Sequence, residues 1–316
     1  DRPFGQRINH AEVDTIVDAV VKQLDDIEIR QKQLLGCSSE AAVTPTGCDV
    51  TVRFQAQVLR TFAPVQVYAQ TLLAVKLIQA DPRVVGLNFV APEDHRIALR
   101  DYRQHMRFVA ELSAAFPSRP AGIALHAGEL TMGLVPPEDL GWHIRDAVAT
   151  AGATRIGHGI DIAYDDDMDG LLKTMAKQDV MVEINLTSND VILGITGAAH
   201  PLPTYLEYGV PVTLSTDDEG VSRIDLTHEY QRAATTYNLG YSQLRGFARN
   251  SLQYSFLPGA RLFDNPEKGQ AVSACANQDL GSTDTSGMCT EFLAASPKAT
   301  LQWELEKRLS AFEARF

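Results

Sequence analysis

Long apolar runs and an excess of positive charge are both absent from this sequence of 316 residues. No apolar stretch approaches the ~18 residues that a membrane-spanning helix requires, so we expect no membrane partner. The 28 lysines and arginines are outnumbered by 40 aspartates and glutamates, which gives a net charge of −12. Because a phosphate backbone needs a basic face, this balance argues against nucleic acid as a partner.

Cysteine is scarce, and neither pair of cysteines has the Cys-x-x-Cys spacing of a zinc motif. Cys37 and Cys48 flank one polar loop, and Cys275 and Cys289 flank another. An even count that closes two short loops favours two disulfides over four unrelated thiols of a cytosolic enzyme. Since disulfides persist in oxidising compartments, we expect an extracytoplasmic protein, periplasmic or secreted.

The residues that are present predict an α/β protein. Apolar residues make up 45% of the sequence and charged residues 22%, as in an ordinary globular protein. Helical and strand patterns alternate after an amphipathic helix at 9–35, which Asn9 caps. Six strands are predicted, at 50–59, 84–90, 121–125, 155–157, 180–184 and 210–215.

Alternating strands and helices predict a parallel sheet covered by helices. A closed barrel of this kind has eight strands, whereas an open nucleotide-binding sheet would carry a Gly-rich phosphate loop after its first strand, which is lacking here. We expect three segments: an N-terminal helix and cysteine loop at 1–48, barrel elements with a catalytic rim at 49–260, and a C-terminal cysteine loop and helix at 261–316.

Polar side chains follow four successive predicted strands at their carboxyl ends. They are His126 with Glu129, His158, Asn185, and Asp217 with Asp218. In a parallel barrel these ends form one rim, where active sites are located. Imidazole and carboxylate suit a catalytic zinc, which keeps one position for water and lowers its pKa. Each residue alone has a structural explanation, such as a helix cap, but four consecutive strand ends favour a metal-assisted hydrolase.

Five sequence strings then point to a family. They are HAGE (126–129), RIGHG (155–159), TSN (187–189), HP (200–201) with GVPVTLSTDD (209–218), and NSLQYSF (250–256). In this order, over about residues 84–256, they resemble the adenosine deaminase family of metal-dependent amidohydrolases. The resemblance implies a (β/α)8 TIM-type barrel, with strands three to eight present here and the first two strands not found.

The resemblance also implies roles for individual residues. His126 and Asp217 bind one Zn²⁺ per active site. Glu129 protonates the purine ring nitrogen beside the attacked carbon, while His158 orients the attacking water and takes its proton. Asp217 also holds that water, and Asp218 hydrogen-bonds a nitrogen of the five-membered ring.

Gly128 and Ala91 complete the expected substrate contacts, although Ala91 stands where the family usually has a glycine. The family's first strand supplies two further zinc ligands as a His-x-His pair, and none of the eight histidines forms such a pair. The chain opens with neither a signal peptide nor a targeting sequence. We therefore expect that the working protein includes an N-terminal fragment carrying the pair.

The expected function is zinc-dependent deamination of a small purine nucleoside, with adenosine converted to inosine and ammonia. Two alternatives stay open. One is another amidohydrolase acting on an amino-heterocycle or an amide, because a fold does not determine a substrate. The other is a pseudo-enzyme that keeps the scaffold as a binding module.

Overall fold

The computed structural model describes residues 5, 8–37 and 45–316. The chain divides into two compact units, one of residues 1–126 and 149–153 and the other of residues 127–148 and 154–316. The predicted segments 1–48, 49–260 and 261–316 stay a prediction. In the described ranges, no helix is both long and apolar enough to cross a membrane.

The first unit alternates helices and strands. Its elements are α1 (His10–Leu34), β1 (Phe54–Leu59), α2 (Pro64–Ala80), β2 (Val84–Val90), α3 (Arg96–Ala115) and β3 (Gly122–Ala127, whose last residue opens the second unit). The three strands pair in parallel in chain order. As predicted, the Asn9 side chain caps α1 by accepting a hydrogen bond from the Ala11 backbone N–H.

Strand β1 begins four residues later than the pattern predicts. Phe54 pairs with Val84, the first residue of β2, so the residues before Phe54 have no partner on β2. Val50 and Val52 are correspondingly exposed. The alternation of apolar and polar residues predicts a strand for as long as the pattern continues. In the structure, a strand extends only as far as the neighbouring strand with which it forms hydrogen bonds.

The second unit continues the alternation. Its elements are α4 (His143–Ala149), β4 (Arg155–His158), α5 (Met168–Lys177), β5 (Met181–Ile184), α6 (Leu186–Leu193), α7 (Leu202–Glu207), β6 (Val212–Leu214), α8 (Glu219–Ser222), α9 (Leu226–Tyr237), α10 (Tyr241–Gln253), β7 (Phe263–Asn265), β8 (Gln270–Ala271), α11 (Met288–Ala295) and α12 (Pro297–Glu313). Strands β4, β5 and β6 are parallel and paired in chain order.

The single helix predicted at 137–151 is wrong. Residues Pro137–Asp139 form a 3₁₀ turn, and α4 begins only at His143. Gly141 separates the two with a φ of 84°, and a Cβ there would collide with the carbonyl oxygen of Tyr164. The break therefore depends on a close approach of backbone from a distant part of the sequence.

The C-terminal part of the second unit has its own apolar cluster. Its buried members are Leu262, Phe263, Cys275, Cys289, Ala299 and Trp303. The buried guanidinium of Arg249 on α10 donates two hydrogen bonds of 2.7 Å to the carboxylate of Glu306 on α12. This paired geometry satisfies both charges away from water. The β7–β8 hairpin and α11, which lie in this region, are not predicted from the sequence.

Both predicted cysteine pairs are disulfide-bonded in the structure, Cys37–Cys48 and Cys275–Cys289. We expect non-reducing peptide mapping of the native protein to find these two linked peptides. Because each bridge closes a short loop of the unfolded chain, we expect replacing both cysteines of a pair by alanine to cost about 2–4 kcal/mol of unfolding free energy. Four free thiols on the native protein would contradict the pairing and the expected compartment.

The buried side chain of His105 should make the unfolding free energy of the first unit depend on pH. Its ring is 1% exposed and lies beside the rings of Phe89 and Phe108. Burial lowers the pKa of His105 to about 4, against about 6.5 in an unfolded chain. As the pH falls, the unfolded state therefore binds this proton first.

We accordingly expect the unfolding free energy to fall between pH about 6.5 and 4, with His105 contributing about 3 kcal/mol of the loss. His105→Phe should make this fall shallower in denaturant titrations at a series of pH values. His228→Gln, which removes an exposed imidazole, serves as the control and should keep the full slope. Equal slopes for both variants would refute the assignment.

Candidate active site

His158 closes β4 and lies between two carboxylates. Its side chain is fully buried, with Nδ1 3.6 Å from Glu129 Oε1 and Nε2 3.9 Å from Asp217 Oδ2. Glu129 follows the end of β3, and Asp217 follows the end of β6. Three of the residues predicted from strand ends thus meet in the second unit. Each carboxylate remains partly exposed, as a group that meets a ligand must be.

Two amides of the segment after β5 also face the His158 ring. The side-chain nitrogen of Asn189 lies 2.9 Å from His158 Nδ1. That of Asn185 lies 3.3 Å from Nδ1 and 3.5 Å from Nε2. Asn189 belongs to α6, which the sequence analysis did not predict. The TSN string marked its position, but only the helix turns its side chain toward the ring.

Asp217 is held by a neighbouring hydroxyl. Ser188 Oγ on α6 donates a 2.8 Å hydrogen bond to Asp217 Oδ2. This bond orients the carboxylate, as the partners that surround metal-binding carboxylates commonly do. Asp218, by contrast, is exposed; it is the N-cap residue of α8, but its side chain makes no cap hydrogen bond.

Three predicted site residues have left-handed backbone, which is costly for any residue but glycine. The φ angles are 75° for Ala91, 69° for His158 and 54° for Asp217. The other non-glycine residues of positive φ in the described ranges follow helix ends, where this conformation is a common cap. Left-handed backbone at a strand end costs about 1–3 kcal/mol of conformational free energy per residue. Residues strained in this way cluster at functional sites.

The Ala91 angle also explains why a glycine suits that position, since glycine adopts it without steric cost. Gly128 shows the same requirement more strongly. Its φ is 73°, and a Cβ there would collide with Asp161 Oδ1 and with Ile144. The Gly128 carbonyl accepts hydrogen bonds from the backbone N–H groups of Ile160 and Asp161. These contacts tie the HAGE turn to the segment after β4 and account for the glycine. Substrate contact by Gly128 stays a prediction.

His126 is oriented within the first unit. Asn88 Oδ1 lies 3.1 Å from the backbone nitrogen of His126 and 3.0 Å from its Nδ1. Arg60 donates a 2.9 Å hydrogen bond to the His126 carbonyl. Because an amide oxygen only accepts, His126 Nδ1 carries the ring proton, and Nε2 has the lone pair that a metal ligand needs. An amide that sets the tautomer in this way is typical of metal-binding histidines.

His126 in the first unit, and His158 and Asp217 in the second, are each among the described residues that could bind a metal ion. Imidazole and carboxylate donors fit a borderline-soft ion of the zinc type. The orientation of His126 by Asn88, and of Asp217 by Ser188, agrees with such a role for each.

Comparison with known structures identifies the class of fold. A zinc-bound amidohydrolase from Burkholderia ambifaria matches with a TM-score of 0.51 and 16% identity, over 70% of this chain and 55% of the other. The apo N6-methyl-AMP deaminase of Arabidopsis thaliana aligns with a TM-score of 0.48 and 22% identity, over 78% and 60%. The six parallel strands of the described residues fit the (β/α)8 barrel of the amidohydrolases.

Comparison of sequences identifies the family. The sequence model of adenosine deaminase matches residues 6–263, and the chain belongs to the adenosine deaminase family. Adenosine deaminases of Escherichia coli, from strain SE11 and from O1:K1 / APEC, are each 38% identical over 143 residues. The matched segment is 44% of this chain, and the chain spans 40% of the length of these curated relatives. Nothing found supports the predicted N-terminal fragment as a partner.

Proposed function

We propose that this chain catalyses the zinc-dependent hydrolytic deamination of a purine nucleoside, with adenosine converted to inosine and ammonia. The observation that carries the proposal is the buried His158 ring, flanked by the carboxylates of Glu129 and Asp217, in a member of the adenosine deaminase family. A proton-donating carboxyl and a water-orienting imidazole at one place suit hydrolysis of an amino-substituted ring.

Each side chain has a distinct task in this proposal. His126 and Asp217 would hold Zn²⁺, which when bound would supply a water acidified toward neutral pH. Glu129 protonates the ring nitrogen next to the attacked carbon, so that the ring can accept the electron pair of the new C–O bond. His158 orients the attacking water. One of the two protons of this water passes to the departing amino group and the other restores the Glu129 carboxyl, so that ammonia leaves as the C–N bond breaks.

The remaining predicted residues contact the substrate. Asp218 is exposed, and its carboxyl group hydrogen-bonds a nitrogen of the purine's five-membered ring. The turns at Ala91 and Gly128 present backbone to the purine. Their left-handed φ angles support this role, because such turns bring backbone polar groups into reach of a ligand.

The proposed setting is an oxidising compartment outside the cytoplasm. Two disulfides support this setting, because such bonds are rare where glutathione keeps thiols reduced. The proposed partner is a small purine rather than nucleic acid or a membrane, in agreement with the net charge of −12.

The test is an ammonia-release screen of the purified chain, with its zinc content measured on the same sample. Adenosine, 2′-deoxyadenosine, adenine and AMP are compared at equal concentration. We expect about one zinc per chain and the fastest release from a nucleoside. Release only from a free base or a non-purine amide would replace the proposal with another amidohydrolase. Bound zinc without release from any substrate would replace it with a binding module.

A further inference from the structure

His200 has only one position for its ring proton. The ring is 2% exposed, and its Nδ1 accepts a 3.1 Å hydrogen bond from the backbone N–H of Leu202. Burial lowers the pKa of His200 to about 4, with the charge of Arg232 acting in the same direction. The ring is therefore neutral at pH 7. Because Nδ1 is the acceptor, the single proton is on Nε2.

This proton determines the orientation of the Asn189 amide. His200 Nε2 lies 3.2 Å from Asn189 Oδ1, and a donor must face the oxygen of the amide rather than its NH₂ group. The NH₂ group then points to His158 Nδ1, at 2.9 Å. Asn189 is fully buried, so water does not compete for either end of the amide.

The amide in turn determines the tautomer of His158. An NH₂ group donates, so His158 Nδ1 accepts, and the proton of the neutral ring is on Nε2. Nε2 is the nitrogen that faces Asp217. A proton on Nδ1 would point at the amide hydrogens of Asn189.

Neither Glu129 nor Asn185 favours a proton on His158 Nδ1. Glu129 Oε1 is 3.6 Å from Nδ1, which is beyond hydrogen-bond distance. The Asn185 nitrogen is almost equally far from Nδ1 and Nε2, at 3.3 and 3.5 Å. An in-plane hydrogen bond to one ring nitrogen would leave the other much farther away, so Asn185 lies across the ring face.

We propose that His200 and Asn189 are positioning residues, forming a relay that holds the His158 ring in the tautomer with its proton on Nε2. In this tautomer Nε2 is a hydrogen-bond donor, so the ring orients an oxygen lone pair and does not accept a proton at that nitrogen. The catalytic consequence rests on the proposed deamination, but the tautomer itself does not.

The direct measurement is ¹⁵N NMR of the imidazole nitrogens in the full-length, zinc-loaded protein labelled at histidine. The His158 signals are assigned by their loss in His158→Gln. We expect a protonated Nε2 and an unprotonated Nδ1 at pH 7.5. The opposite pattern in the wild-type protein would overturn the proposal.

Asn189→Asp is the decisive variant, because it changes one amide NH₂ into an oxygen at the same size. One carboxylate oxygen still accepts from His200 Nε2, while the other faces His158 Nδ1 and requires a proton there. We expect the tautomer to switch to Nδ1–H. Asn185→Asp is the matched control: it makes the same change four residues earlier, beside the same ring, and should leave the tautomer as it is. A switch in both variants, or in neither, would refute the relay.

His200 is tested by a pair of variants. His200→Gln keeps an N–H that can donate to Asn189 Oδ1, and we expect it to retain the wild-type tautomer. His200→Leu removes the donor, so the amide can rotate and both tautomers should appear. Identical spectra for the two variants would show that His200 does not orient Asn189. Thermal unfolding of each variant establishes that it is folded.

If the chain deaminates purines, Asn189→Asp should lower kcat by about 10²-fold or more with little change in KM, because His158 Nε2 would lose the proton with which it orients the attacking oxygen. A switched tautomer with normal kcat would remove the catalytic part of the proposal. Failure of the proposed function would appear differently, as absence of ammonia from the wild-type protein with the tautomer pattern intact.

Discussion

Glu129→Gln is expected to lower the turnover of the proposed deamination by about 10²–10⁴-fold, the usual contribution of a well-placed general acid. Glutamine has the same size and occupies the same turn, but it has no proton to transfer. The turn itself depends on Gly128, which allows the chain to approach Asp161 and Ile144 closely. The variant should therefore fold and bind metal normally.

The measurement is steady-state ammonia release, with metal content determined on the same preparation. Glu138→Gln is the matched control, since Glu138 is an exposed carboxylate in the same loop after β3. It should keep wild-type turnover. Near-normal turnover of Glu129→Gln would mean that another group protonates the ring.

Asp217→Asn should have the second large effect, by removing metal together with activity. The substitution replaces the carboxylate of Asp217, a residue that could bind a metal ion, with a neutral amide, a much poorer ligand for zinc. We expect the zinc content to fall well below one per chain and ammonia release to fall to background. Dialysis of the wild-type protein against a chelator should inactivate it, and added zinc should restore it.

Neighbouring residues provide graded comparisons. Ser188→Ala removes the hydroxyl that orients Asp217 and should weaken metal affinity by about 10–100-fold without abolishing it. Asp218→Asn changes the adjacent, exposed carboxylate and should leave the zinc content at the wild-type value. Equal zinc content in all three variants would show that Asp217 is not a ligand.

Much of the architecture follows from local pattern. Strand β2 has the predicted bounds, Val84–Val90, because a continuous apolar run between two polar segments has few alternatives. The bounds of α1 differ from the predicted ones by a single residue at each end, and α2 begins one residue earlier than predicted and ends at the predicted Ala80, since their apolar residues recur at helical spacing. Both disulfides agree with the spacing of the cysteines.

The elements that the sequence analysis misplaced depend on distant neighbours. The start of β1 depends on where β2 begins. The break before α4 depends on the carbonyl of Tyr164. Helix α6 has only eight residues, too few for the spacing of its apolar residues to distinguish it from a polar loop. A helix this short is stabilised mainly by tertiary packing.

The same division applies to the candidate site. From the sequence alone came the chemical types at the strand ends, His126, Glu129, His158 and Asp217, and the family that combines them in this order. The position of the ring proton on the two histidines was decided only by tertiary structure. Asn88 sets the proton of His126, and Asn189, itself oriented by His200, faces Nδ1 of His158. A sequence specifies which side chains can donate or accept hydrogen bonds. The direction of each hydrogen bond depends on three-dimensional contacts between residues far apart in the chain.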